Sequence, residues 1–235
     1  MSNTPNLGLP QLLAAQAQKH VTVNEALALL DGLSQLVLAD VALATPPTSP
    51  AEGICFGVPA GALSAWAGQD GRVAIWSNGG WIFADPMPGW RAFVVSANAQ
   101  AIFDGSEWMI GAVAATQNGA TTVHEIIETD HLIQAGATNA VPGALPANAM
   151  VIGVTGRVTT AITGALTSFR IGVSGFDDRY GSGIGLVQST WLRGLTSAPV
   201  SYYSDTDIIL TGEGGDFVSG ELRLAVHLMK LGLPN

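Results

Sequence analysis

The sequence predicts a mainly β protein: a short N-terminal helix, a small Trp-rich β-hairpin module and a C-terminal antiparallel β-sandwich resembling a jelly roll. A helical spacing of apolar residues occurs convincingly once, near the N-terminus. The later segments are short apolar or alternating runs between Gly-rich turns, which is typical of sandwiches and jelly rolls. We predict three parts, with bounds 1–44, 45–114 and 115–235.

The composition limits the classes of partner. Charged residues make up 11% of the 235 residues and the net charge is −9, and so low a charge content favours a surface that is covered by other subunits. The sequence contains two lysines and no stripe of basic residues, so we expect no nucleic-acid partner. No apolar run reaches the ~18 residues of a membrane span and no secretory signal is visible, so we expect synthesis in the cytoplasm without membrane insertion.

The N-terminal part, 1–44, is predicted to be an extended arm with exposed leucines, followed by a helix from Val23 to Leu38. Thr22 and Glu25 have the spacing of a capping box. Gly32 would permit close approach of a neighbouring helix. Polar residues concentrated before the cap, together with the leucine stripe, indicate a docking or inter-subunit contact. The residues predicted for this contact are Gln16, Gln18, Lys19, His20, Asn24, Leu27 and Leu30.

A Pro-rich linker leads into the module, which contains an internal repeat of Ala74–Trp81 in Ala101–Trp108. Each copy predicts a strand, a tight turn at Asn78-Gly79 or Asp104-Gly105, and a returning strand that begins with Trp. Five of the six tryptophans lie in this module. They could form a sugar-binding platform, but core pegs that brace small hairpins are the favoured interpretation.

The C-terminal part contains several predicted strands, including Met150–Val158 and Phe169–Val173. Gly220–Met229 alternates, with leucines and Val226 on one face and Glu221, Arg223, Ala225 and His227 on the other, as expected of a half-buried antiparallel strand. Gly181–Gly185 is predicted to be a flexible loop between strands.

No pattern indicates catalysis, so we predict no enzyme, no catalytic residue and no cofactor. The single cysteine, Cys55, is predicted to be a small core residue. Acidic residues in loops beside aromatic residues favour carbohydrate recognition, with bound Ca²⁺ as an alternative use of the same carboxylates and ordinary turn chemistry as a third. The predicted carbohydrate-binding residues are Asp177, Asp178, Tyr180, Trp191, Tyr202, Tyr203, Asp205 and Asp207.

Four short motifs resemble an uncharacterised domain family of alphaproteobacterial prophages and gene transfer agents, in particular its head-spike fibre members. They are Gln16–His20, Asn24–Ala26, Pro47–Gly53 and Ala65–Gly68, and the resemblance covers about the first 110 residues. It implies a virion protein, commonly a homotrimer, held by a spike base or capsid protein. It also implies an outward C-terminal part that binds the host's capsular or other surface polysaccharide.

Two alternatives remain open. The chain could be a depolymerase that cleaves the same polysaccharide with loop carboxylates among Asp177, Asp178, Asp205, Asp207 and Glu213. It could also be a purely structural particle protein, with receptor binding done elsewhere.

Overall fold

The computed structural model describes residues 3–12 and 19–234, and it is mainly β, with 55% strand and 6% helix. Two compact units divide the chain: unit 1 is Met1–Thr121 with Gly232–Asn235, and unit 2 is Thr122–Leu231. None of the helices described is long and apolar enough to cross a membrane.

The described residues of unit 1 form one α-helix, a 3₁₀ turn and eight short strands. Their bounds are α1 Lys19–Leu33, β1 Val37–Leu38, β2 Cys55–Gly57, the 3₁₀ turn Ser64–Trp66, β3 Val73–Ser77, β4 Gly80–Ala84, β5 Arg91–Val94, β6 Ala99–Phe103, β7 Trp108–Ile110 and β8 Ala112–Ala115. A seven-stranded sheet has the order β4-β3-β2-β1-β5-β6-β7. It is mixed, because β1 pairs in parallel with both β2 and β5, whereas the other pairs are antiparallel.

The predicted helix bounds were wrong at both ends. Helix α1 already includes Lys19, so Thr22 lies inside it and cannot be its N-cap. The helix ends at Leu33, because Val37 and Leu38 pair with β5 and Leu38 is fully buried in the core of unit 1. Propensity and apolar spacing favoured a longer helix, and pairing within the sheet overrode them.

Helix α1 packs on the sheet of its own unit. A Cβ built at Gly32 would lie 2.7 Å from Cδ1 of Ile75 on β3, so this glycine allows the helix to approach a strand and not, as predicted, another helix. Leu29 and Leu33 pack against the same buried cluster. The helix and the Trp-rich module therefore share one core.

Both predicted hairpins of the internal repeat are confirmed. In the first, Trp76 pairs with Trp81 across a turn in which Asn78 and Gly79 both have positive φ, as a tight hairpin turn requires. In the second, Phe103 pairs with Trp108, and the carboxylate of Asp104 accepts hydrogen bonds from the turn that follows it.

Four of the five tryptophans of unit 1 belong to its core or pack against it, as favoured from the sequence. Trp66 is fully buried, and its ring lies 5.3 Å from that of Phe56 and 5.1 Å from that of Trp81. Trp108 is also buried. Cys55 is a core residue, and burial raises the pKa of its thiol to about 12.

Unit 2 consists of eight long strands. Their bounds are β9 Thr121–Leu132, β10 Thr138–Leu145, β11 Ala149–Gly164, β12 Ser168–Val173, β13 Phe176–Ile184, β14 Trp191–Tyr202, β15 Thr206–Glu213 and β16 Phe217–Gly232. One sheet has the order β10-β15-β12-β13, and the other contains β14, β11, β16 and β9 in that order. This interleaving of eight antiparallel strands in two sheets is the jelly-roll topology, which confirms the prediction.

The core of unit 2 lies between its two sheets. The predicted inward face of the last strand is confirmed, because Leu222, Leu224, Val226 and Leu228 are all buried in one cluster. This cluster also contains Phe169 and Phe217, whose rings are 6.2 Å apart. The opposite face of β16 is therefore left on the outside of its sheet.

Candidate functional site

The predicted carbohydrate-binding residues do not come together in unit 2. Trp191 begins β14 and Tyr202 ends it, so they lie roughly 35 Å apart along a 12-residue strand. Asp177 and Asp178 belong to β13 in the other sheet. A single site that includes all eight residues is therefore not present in the structure.

Asp177–Tyr180 and Gly181–Gly185 were wrongly predicted to be loops. Most of both segments forms β13, which pairs with β12 from Val173↔Phe176 to Phe169↔Ile184. The abundance of Gly and Asp suggested turns, but the pairing with β12 holds the segment extended, with register shifts that accommodate it.

Two of the predicted residues have structural roles on β13. Tyr180 is only 1% exposed, so its ring is part of the core and cannot stack on a sugar. Its hydroxyl lies 2.8 Å from that of Tyr202, and burial raises the pKa of Tyr180. Asp177 forms an ion pair with Arg170 at 2.8 Å.

Asp205 and Asp207 each accept a hydrogen bond from a backbone N–H group that is distant in sequence. Asp205 accepts a hydrogen bond from the backbone N–H of Ala147 at 2.8 Å, and Asp207 accepts one from Gly143 at 2.8 Å. These bonds join residues 58 and 64 positions apart in sequence, so they are long-range links and not the local turn contacts that the sequence offered as an alternative. Tyr203, in the same region, is 84% exposed and makes no side-chain hydrogen bond to a described residue.

Trp191 stands apart from the other tryptophans because it is the exposed one. All six lie in the described part of the chain, and Trp191 is 64% exposed whereas the others are buried or half-buried. Along β14, Trp191, Arg193 and Leu195 point outward, and Leu192 and Gly194 point into the unit. The guanidinium carbon of Arg193 lies 5.6 Å from the centre of the Trp191 ring, a cation–π contact between neighbours on one face.

Arginines from adjacent strands lie beside this tryptophan. In the antiparallel register, Arg157 on β11 is directly opposite both Trp191 on β14 and Arg223 on β16. Thr155, two positions before Arg157, is opposite Arg193. The side chains border a shallow groove of about 590 Å³. We call this surface the Trp191 face, and its residues are Glu128, Thr155, Arg157, Trp191, Arg193 and Arg223.

The three arginines of the Trp191 face differ in their partners. Arg223 donates two hydrogen bonds to Asp130, at 2.6 and 2.8 Å, and lies 3.9 Å from Glu128. These bonds lower the pKa of Asp130 and raise that of Arg223. Arg157 and Arg193 form no ion pair and no side-chain hydrogen bond with any residue that the structure describes. Two guanidinium groups beside an exposed indole therefore remain available to a ligand.

The sequence carried part of the signal for this face. Trp191 was selected from the sequence, and the outward face of β16 with Arg223 was recognised from its alternation. Arg157 and Arg193 were missed, because they lie far from Arg223 in sequence and only the pairing of β14, β11 and β16 brings the three strands together.

Some of the residues predicted for attachment or for contact with another subunit are not among those that the structure describes. Gln16 and Gln18 lie outside them, as do the side chains of Lys19 and His20. Asn24 is used within its own unit, where its carboxamide accepts from the N–H of Leu12 and donates to its carbonyl, at 2.9 and 3.0 Å. Leu27 is half-buried and Leu30 exposed.

Within residues 3–12 and 19–234, no three His, Cys, Asp or Glu side chains are grouped as ligands for a metal ion.

The N-terminal arm is packed on α1 and not extended. The buried carboxylate of Asp31 accepts hydrogen bonds from the hydroxyl of Thr4 at 2.6 Å and from the N–H groups of Asn6 and Leu7 at 2.9 and 2.5 Å. Pro5 packs so closely on Gly53 that any side chain at position 53 would clash with the proline ring. We call residues 3–12 with Asp31 the arm clasp.

A comparison with protein families matches part of unit 1. Residues 23–109 match the family described as "Protein of unknown function (DUF2793)". The resemblance seen over about the first 110 residues is thus confirmed at the level of a domain family of unknown function.

Solved structures with some similarity come from phage capsids. They include the capsid asymmetric unit of cyanophage Pam1, at 21% identity over 47% of this chain and 84% of that one, and the acid-stable capsid of Helicobacter pylori bacteriophage KHP30, at 13% identity over 49% and 94%. Both TM-scores are 0.32, which does not establish a common fold. No curated protein matches the chain.

Proposed function

We propose that this chain is a non-enzymatic spike or fibre component of a phage-like particle, possessing a jelly-roll unit that binds carbohydrate on the host surface through the Trp191 face. The observation that carries the proposal is the exposed ring of Trp191, next to two arginines whose side chains form no ion pair or hydrogen bond with a described residue. The particle context, including a gene transfer agent as the kind of particle, is supported by the motif resemblance.

The physical argument begins with the cost of an exposed indole. Leaving a large aromatic ring in water forfeits the free energy that burial would provide, about 25 cal/mol for each Å² of apolar surface. An exposed aromatic group with polar groups around it is typical of a binding surface. The flat ring matches the apolar face of a pyranose, and the neighbouring guanidinium groups supply hydrogen-bond donors for its substituents. Jelly rolls occur in both viral capsid and lectin domains, which agrees with this combination.

The carboxylates favour binding over glycoside cleavage. A general acid for glycoside hydrolysis needs a raised pKa. Among the candidates, the pKa of Glu213 is lowered by the hydrogen bond from Ser168, and it also accepts from the N–H of Gly183. Asp177 is paired with Arg170 and Asp205 accepts from a backbone N–H. The hydrogen bonds to Glu213 stabilise its ionised form, which is the opposite of what a general acid requires.

Attachment is assigned to unit 1. Val23 and Leu30 are exposed and Leu27 is half-buried, so apolar side chains at helical spacing form a stripe on the outer side of α1. Such a stripe suits contact with another copy of the chain, as in a trimer, or with a spike-base or capsid protein. The attachment role of this stripe is part of the same proposal, since it presupposes that the chain belongs to a particle.

The test uses the intact chain and the purified surface polysaccharide of the bacterium that carries the gene and of its near relatives. We expect saturable binding of at least one polysaccharide, quenching of tryptophan fluorescence, and a loss of about tenfold or more in affinity for Trp191→Ala, which removes a central aromatic contact. Tyr203→Ala is the matched control, since it also removes an exposed aromatic ring from unit 2.

Three results would contradict the proposal. Absence of binding to every polysaccharide would leave a purely structural particle protein. Equal losses for the two variants would remove the Trp191 face from the site. New reducing ends, released with time, would make the chain a depolymerase.

A further inference from the structure

We infer that the Trp191 face selects an anionic sugar, with Arg157 and Arg193 binding the carboxylate of a uronic acid or an equivalent oxyanion. This rests on the proposed carbohydrate-binding function and names the class of glycan. The inference starts from an imbalance in charge: the chain has 18 acidic and 9 basic residues, yet three of the basic ones lie together on the Trp191 face.

The arrangement of Arg157 is unfavourable without a ligand. It is directly opposite Arg223 in the antiparallel register, and like charges at directly opposite positions destabilise a sheet. The charge of Arg223 is matched by Asp130, with which it forms a bidentate pair. Arg157 has no such partner among the described residues. A bound anion would supply the missing charge.

The spacing fits one sugar residue with an anionic substituent. Side chains directly opposite each other across antiparallel strands have Cβ atoms about 5 Å apart, close to the width of a pyranose ring. A sugar stacked on Trp191 would therefore place its substituents over Arg157, which is opposite it, or Arg193, which contacts its ring. The planar guanidinium group binds a carboxylate through two parallel hydrogen bonds, a geometry that a hydroxyl group cannot match.

The net charge of the chain makes local recognition necessary. A chain of net charge −9 repels an acidic polysaccharide overall. Non-specific attraction therefore cannot account for such binding, and contact with specific arginines is required. It also makes salt dependence a poor test, because salt screens both the local attraction and the overall repulsion.

The experiment compares chemically matched glycans on the intact chain. The probes are the binding polysaccharide found above, the same polysaccharide after chemical reduction of its carboxyl groups, and the commercial pair dextran and dextran sulfate. We expect carboxyl reduction to weaken binding by about tenfold or more, which corresponds to roughly 1.4 kcal/mol. Dextran sulfate should bind more tightly than dextran.

The matched variants are Arg157→Gln and Arg193→Gln on the face, with Arg91→Gln as control. Arg91 is also exposed and without an ion pair to a described residue, but it lies in unit 1. We expect R157Q to reduce affinity for the acidic form by about tenfold while leaving that for the reduced form unchanged, and R91Q to change neither. The unfolding midpoint of R157Q without ligand should equal or exceed that of the unmodified protein, since a like-charge pair is removed.

The outcomes separate this inference from the proposed function. If no glycan binds, the proposed function fails. If the carboxyl-reduced polysaccharide binds as tightly as the acidic one and W191A abolishes both, the function stands and the inference is overturned. If R157Q or R193Q alters the oligomer mass in light scattering, the face is a contact between copies of the chain, and the inference is likewise overturned.

Discussion

The two units place their tryptophan side chains differently: unit 1 packs most of them in or against its core, and unit 2 exposes its tryptophan on the surface. In unit 1, tryptophan rings such as Trp66 face the core, and the buried carboxylate of Asp31 holds the arm. In unit 2, the core consists mainly of aliphatic side chains, together with Phe169, Phe217 and Tyr180. Trp191 and the neighbouring arginines lie outside this core. The difference indicates that aromatic groups stabilise unit 1, whereas in unit 2 an aromatic ring lies exposed beside arginines on an outer sheet face.

The largest expected effect separates the two kinds of tryptophan. Trp66→Ala should lower the free energy of unfolding by about 3 to 5 kcal/mol, because it removes a fully buried ring from an aromatic cluster. Trp191→Ala should change it by no more than about 0.5 kcal/mol, since the ring is mostly exposed. Urea unfolding of both variants measures this. A similar loss of unfolding free energy in the two variants would contradict the proposed difference between the buried and the exposed tryptophan.

The arm clasp gives the next effect. Asp31→Ala should destabilise the protein by about 2 to 3 kcal/mol, because three hydrogen bonds to a buried carboxylate are lost and Thr4 is left without its acceptor. Asp85→Ala, which breaks only an exposed pair with Arg72, should cost less than about 1 kcal/mol. Urea unfolding at neutral pH compares the two, and equal losses would contradict a role for the clasp.

The contribution of Asp31 should also depend on pH. Burial raises the pKa of Asp31, but the hydrogen bonds from Thr4, Leu7 and Asn6 together lower it by a larger amount, so the net pKa is below the usual value. The stabilisation is therefore present above about pH 4, the unfolded-state pKa, and is lost as the pH falls through the folded-state pKa. The difference in stability between the unmodified protein and D31A should thus shrink in acid. A difference that stays constant down to pH values well below the folded-state pKa would refute this.

The smallest effect on stability is expected on the outer side of α1. Leu30 is 53% exposed, so Leu30→Asp should leave the unfolding midpoint nearly unchanged but disrupt the oligomer or its incorporation into particles. Leu63→Asp, at a site that is 57% exposed, is the control. Light scattering and particle incorporation report the result. If L30D matches L63D in both, unit 1 does not use this stripe for attachment.

Much of the fold followed from local patterns. The repeat Ala74–Trp81 and Ala101–Trp108 predicted two hairpins, because Asn-Gly and Asp-Gly turns and the returning Trp are local signals. The alternation in Gly220–Met229 predicted which face of β16 is buried. The end of α1 was not predictable in this way, since β1 forms only through parallel pairing with β2 and β5, which are distant in sequence.

The candidate site was predictable only in part. Trp191 was identified as an aromatic residue close in sequence to acidic loops, but its supposed partners, such as Tyr180 and Asp205, proved to be structural. Glycine and aspartate indicate a turn only if no strand is available to pair with, and β12 pairs with that segment. The clasp of Asp31 was missed because Asp31 and Thr4 are 27 residues apart in sequence.

The sequence by itself determined the β class, the hairpins of unit 1, the inward face of β16 and the inert core position of Cys55. All of these depend on alternation, turn chemistry or apolar character within a few neighbouring residues. Only the tertiary structure decided where α1 ends and which side chains share the Trp191 face. Strand pairing made that choice, since the hydrogen bonds that place Arg157 beside Trp191 and Arg223 join strands far apart in the chain.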